Sequence, residues 1–200
     1  MLFAILPPAA REIGLSPFQV TYIFATSASL RIVCSPKWGR YSDRVGRRPV
    51  ILIGILGFGL SMALLATMIH IGKQQWLPLI AVYPLMIASR CVFALLGSGT
   101  GPAAQAYIAD RTSRSERTAS LALVSASLGI GQVVGPALGA GLAEFGLLAP
   151  LYCTTALAVV SALVIWVALP ETHSPAAMTT ATQPRLRMRD PRILPLVSIE

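Results

Sequence analysis

A single guanidinium, Arg90, interrupts the apolar stretch 77–108 about 13 residues from its start. At a helical rise of about 1.5 Å per residue, that depth lies near the middle of a bilayer. An ionised side chain there is expensive and almost always faces a water-filled path or a partner, so Arg90 is the leading candidate for a functional group. A second constellation reads Gly39-Arg-Tyr-Ser-Asp43-Arg44-Val-Gly46-Arg47-Arg48-Pro49. Basic residues alone would suit any short loop beside a membrane, but Asp43 and two glycines at fixed offsets ask for more. Glycines let helix ends approach closely, Asp43 can accept charge-assisted bonds from arginines or a helix N-terminus, and Pro49 suits the first turn of the next helix. The chemistry implied is a latch between helix ends. Asp110, followed by Arg114, Glu116 and Arg117, makes a charged turn that a solvated loop would explain equally well. Gly131-Gln-Val-Val-Gly135-Pro136-Ala-Leu-Gly139-Ala-Gly141 offers a smooth face for close helix packing, with one hydrogen bond removed at Pro136. Arg31 lies about 9 Å from the end of its apolar stretch, within reach of the interface for a long side chain.

The elements that must carry these groups are membrane helices. Of the 200 residues 54% are hydrophobic and 12% charged, with a mean hydropathy of +0.68. A soluble domain carries roughly a quarter charged residues, so that class is excluded. Crossing a bilayer takes about 20 apolar residues. Five stretches have that length, at about 17–36, 50–70, 77–108, 120–142 and 149–169. Residues 1–8 are apolar but too short to cross, and read as the tail end of a first span, so that the chain would start inside a helix. The expected architecture is all-α, a polytopic membrane bundle over 1–172, followed at 173–200 by a polar, then basic linker that leads toward a seventh helix.

Lys and Arg set the orientation. Segments 37–49, 109–119 and 173–200 together hold twelve of them, whereas segments 9–16, 71–76 and 143–148 hold two, Arg11 and Lys73. The basic side and the tail are therefore expected in the cytoplasm of a multi-pass protein, in the inner membrane if the cell is bacterial. This bias accounts for most of the net charge of +8 without nucleic acid as a partner, and membrane lipid with anionic head groups is its natural neighbour. Cys34, Cys91 and Cys153 lie far apart and read as small hydrophobes, with neither a disulfide framework nor a metal site. Trp38 and Trp76 read as interface anchors. His70 and His173 fall on opposite sides of the membrane, and with no pair of intramembrane carboxylates an enzyme is not expected. All eight acids, Glu12, Asp43, Asp110, Glu116, Glu144, Glu171, Asp190 and Glu200, map outside the five stretches.

The pattern Gly39-x-x-x-Asp43-Arg44-x-Gly46-Arg47-Arg48 between two spans resembles the cytoplasmic signature that joins the second and third helices of the major facilitator superfamily. Counted from it, Arg90 falls in the fourth helix, where a family arginine lines the central cavity and is linked to proton transfer; the glycine common four residues later is Ala94 here. Ala106-Tyr-Ile-Ala-Asp110 with Arg117 is similar to the segment that ties cytoplasmic helix ends in tetracycline-efflux-like transporters. Gly131, Gly135, Pro136 and Gly139 resemble the antiporter motif of the drug:proton antiporter branch, with Ala140 in place of its last glycine. Leu169-Pro170-Glu171-Thr172 resembles the end of the family's sixth helix. What the resemblance implies is a secondary transporter, by its motifs an exporter of drugs or other small molecules. It would be driven by protons with no cofactor beyond the proton gradient, and would be present as an N-terminal half whose C-terminal half and proton-carrying carboxylate lie elsewhere. An uptake symporter for sugars or other metabolites on the same fold, and a non-transporting fragment, are the alternatives.

Overall fold

The computed structural model describes residues 2–113 and 115–170, so Arg114 and the whole tail, with the expected linker and seventh helix, lie outside the described residues. Every regular element described is helical: α1 (Leu2–Glu12), α2 (Pro17–Val45), α3 (Arg47–Lys73), α4 (Leu79–Gly97), α5 (Thr100–Arg111), α6 (Arg117–Ala143) and α7 (Ala149–Ala168). The first expected span runs on through Pro7 and Pro8 to Glu12.

The start of α2 follows from local chemistry. Gln19 N–H donates to Ser16 Oγ at 3.3 Å and Ser16 N–H donates to Gln19 Oε1 at 2.8 Å, a reciprocal cap, with Pro17 in the first turn. Its end differs from expectation. Residues 37–45 were expected in a loop, yet α2 continues through them, and only Gly46 separates it from α3. A polar segment need not leave a helix when its charges face outward, as Lys37, Arg40, Asp43 and Arg44 do. Gly46 makes the turn with φ +106°, a conformation open to glycine and costly for a residue with a Cβ.

Among the described residues four helical stretches are long and apolar enough to cross a membrane: Arg47–Lys73, Leu79–Arg111, Ser115–Ala143 and Ala149–Ala168. Five full spans were expected, and α2 is the difference. At 29 residues it has ample length, but Gln19, Thr21, Thr26, Ser27, Ser29 and Arg31 dilute its apolar character. The stretch 77–108, expected as one span, corresponds to the single candidate Leu79–Arg111, with a local break in the regular helix at Ser98 and Gly99 between α4 and α5. Three glycines near Pro102 weaken the helix there. The site is also crowded, because a Cβ on Gly99 would lie 2.7 Å from Trp38 Cβ and 2.9 Å from Val50 Cγ1. Gly99→Val is expected to destabilise the bundle by about 1–3 kcal/mol through overpacking. A melting temperature in detergent equal to that of the unaltered protein would show that the contact yields.

α3 is the central element, packed along α4 and α7 and against α5, while α2 lies on α4. One core, built from Leu6, Ile23, Met62, Leu65, Ile69, Val82, Met86 and Leu151, fills the end away from the basic residues; a smaller one of Val50, Ile51 and Ala103 lies at the basic end. An ion pair from Lys73 Nζ to Glu12 Oε2 at 2.7 Å ties α3 to α1 at the first of these ends. By contrast, the apolar window of α6 is unburied throughout.

Candidate functional site

At the basic end Arg47 is a hub. Its Nη1 pairs with Asp43 across the α2–α3 turn and donates to Ser42 Oγ at 3.2 Å. Its Nε reaches Asp110 Oδ2, on α5, at 3.4 Å. Three helices thus meet on one guanidinium, half shielded, with both carboxylates more exposed. Two arginines at the start of α3 oppose its dipole, and Asp43 offsets them. Arg48 Nη2 donates to the carbonyl of Trp166 on α7, so the neighbouring residue draws a fourth helix to the same end. Arg44 instead points outward beside Lys37, Arg40 and Tyr41. Two expectations fail here. Nothing lies within 4 Å of where a Gly39 Cβ would be, so that glycine is not needed for close approach. Arg117 is exposed and, among the described residues, forms no ion pair, so the tie made by the Asp110 turn runs to Arg47 instead. Trp38, expected as an interface anchor, donates its Nε1–H to the Leu95 carbonyl on α4 and stacks edge-on with Tyr41.

Deep in the bundle, Arg90 is only 6% exposed. Nη1 donates to Ser61 Oγ on α3 at 3.2 Å, the guanidinium carbon sits 5.2 Å from the centroid of the Phe93 ring, and Nε is buried without a hydrogen-bond partner. Arg31, expected to extend toward the interface, does not. Because α2 continues to Val45, Arg31 falls at the helix midpoint, and its guanidinium carbon also lies 5.2 Å from the Phe93 centroid. Phe58 packs edge-on against the same ring. Among the described residues neither arginine has a carboxylate within 4 Å. A charge at bilayer depth costs about 2.5–3.5 kcal/mol on insertion scales, and a cation–π contact returns about 0.5–2 kcal/mol of it. The hydrogen bond to Ser61 offsets a further part.

On α6 the small-residue motif is open at one end and covered at the other. Gly131 is exposed with room for a side chain on every side, Gly135 and Pro136 are half-buried, and Gly139 alone is buried. The close packing expected of these glycines is therefore not made at Gly131, whereas Gly139 is covered by the bundle. The helix itself continues unbroken through Pro136.

The sequence profile of the Major Facilitator Superfamily matches residues 1–198. The chain belongs to the major facilitator superfamily. Its membership makes it a multi-pass membrane protein, in keeping with its apolar helices. Among similar members, the tetracycline resistance protein, class C, of Escherichia coli is 32% identical over 176 residues, covering 86% of this chain and 41% of that protein. Multidrug resistance protein 2 of Bacillus subtilis is 28% identical over 82% of this chain and 38% of its own length. Solute carrier family 22 member 18 of mouse is 29% identical over 92% of this chain and 43% of its own. The chain thus spans about two fifths of the length of these superfamily relatives. Within that segment, the neighbours of the Arg90 site that the sequence did not place there are Arg31, Phe93 and Ser61. The only available signal was a second arginine in an apolar stretch.

Proposed function

We propose that this superfamily chain forms the N-terminal half of a proton-coupled exporter of drugs or other small molecules, in the inner membrane if the cell is bacterial, with the basic helix ends and the tail in the cytoplasm. A second six-helix half would complete it and supply the proton-carrying carboxylate. The observation that carries the reading is Arg90, a nearly buried guanidinium with a single hydrogen bond in an apolar bundle, placed to favour the ionised form of an acid brought beside it. The relatives named for multidrug and tetracycline resistance support the export direction. The Arg47 hub suits one of the two alternating-access states, since it can form only while the ends of α2, α3 and α5 are together. The exposed face of α6 at Gly131, beside the half-buried Gly135 and Pro136, would receive the second half, and the exposed apolar side chains of α6 and α7 would meet lipid. No cofactor enters this scheme, the energy source being the proton gradient.

Everted membrane vesicles test it. Energised vesicles containing the full protein should accumulate tetracycline and release protons, and a protonophore should abolish both. Accumulation that survives the protonophore, or none at all with tetracycline and other drugs, would overturn the reading. In the same assay Gly135→Leu should lower accumulation several-fold at unchanged membrane level, because a large side chain would hold the two halves apart. Full turnover in that variant would remove α6 from the interface.

A further inference from the structure

We infer that Arg31 and Arg90, gathered on the single ring of Phe93, form a binding site for the carboxylate of an organic anion. Both guanidinium carbons lie 5.2 Å from the ring centroid, so the two positive charges are no more than about 10 Å apart. Among the described residues no carboxylate lies within 4 Å of either one. Like charges held together at bilayer depth call for an anion between or beside them. Donors are waiting for it. Arg90 is 6% exposed and uses one of its five N–H groups on Ser61 Oγ, and its Nε is buried and unpartnered. Ser61 accepts that bond and keeps its own hydroxyl proton to donate. Arg31 is exposed, and provides the open side through which a ligand could enter.

The geometry also selects the class. A guanidinium fork matches a planar carboxylate in a bidentate fashion, which a spherical halide cannot reproduce. Phe93 and Phe58, edge to face at 5.1 Å, make the wall apolar, favouring a carboxylate carried on an aromatic or aliphatic body over a strongly hydrated inorganic ion. The inference deepens the export reading by giving the cargo a charge class, and it rests on that reading only for the name cargo, since binding needs no gradient.

Equilibrium binding of radiolabelled benzoate to the full protein in lipid nanodiscs tests it. Saturable binding is expected. Arg31→Gln and Arg90→Gln should each raise the dissociation constant about tenfold or more, and Arg31→Lys should recover only part, because it restores charge without the fork. Tetraphenylphosphonium, a cation of similar apolarity, should not compete. Absence of saturable benzoate binding would overturn the inference. Equal affinity in the unaltered protein and Arg31→Gln would do the same, and because Arg31 is exposed that variant keeps the test valid even if Arg90→Gln fails to fold. Benzoate binding without drug export would spare this inference and sink the function proposed above, and export without benzoate binding would do the opposite.

Discussion

Arg90→Ala is expected to reduce proton-coupled export to background while leaving as much protein in the membrane as before, or more. The sign of the second effect is the informative part. Removing an arginine from a span eases insertion by about 2–3 kcal/mol. What the bundle loses in return is one hydrogen bond to Ser61 and one cation–π contact with Phe93. Such interactions are worth about 1–3 kcal/mol and 0.5–2 kcal/mol respectively, so the balance for folding is near zero. A structural arginine would therefore be replaceable at little cost, whereas a functional one would not. Arg90→Lys separates charge from shape: it keeps the cation but not the fork, and should retain a fraction of the transport. The checks are membrane abundance by immunoblot and drug-driven proton release in everted vesicles. Export at the unaltered rate in Arg90→Ala would refute the coupling role.

The second large effect is expected at the basic end. Arg47→Ala removes both ion pairs of the hub and should slow transport about 5–30-fold, the factor that corresponds to about 1–2 kcal/mol of bias between two conformations. Stability should hardly change, because partly exposed ion pairs contribute about 0–1 kcal/mol each. Asp43→Asn should come close to Arg47→Ala, since Asp43 pairs with Arg47 across the turn. Asp110→Asn should do less, its bond being long at 3.4 Å. Exchanging the charges, Asp43→Arg with Arg47→Asp, should rescue only in part, because Asp110 would then face a second carboxylate. A melting temperature that falls in step with transport across these variants would reduce the hub to a structural brace. Transport that is lost at constant stability would make it a switch.

Much of this was legible in the residues alone. The membrane class and helical architecture follow from runs of apolar residues whose length matches a bilayer, and the positions of Arg90, Asp43 and Arg47 follow from how poorly such residues fit their surroundings. Boundaries were harder to read. Residues 37–45 look like a loop by polarity, yet their charged side chains lie exposed along a helix and Asp43 pairs with Arg47 just past the turn, so α2 continues to Val45. That extension moves Arg31 from near an interface to the middle of a helix, and an argument from depth alone then fails. Gly39 and Gly99 show the same limit from two sides: both are glycines near a bend, but only at Gly99 does another helix press in.

The sequence by itself determined that the chain enters a membrane as a set of helices, where its charged ends lie, and which family it resembles, because hydropathy, charge placement and short motifs are local properties readable one segment at a time. Only the tertiary structure decided that Arg31 and Arg90 both lie against Phe93, that Arg47 joins Asp110 across 63 residues, and that α6 is left open at Gly131 but covered at Gly139. These depend on the rotation and depth at which one helix packs on the next. That choice is made by interlocking side chains from every neighbouring helix at once, and no single stretch of sequence contains it.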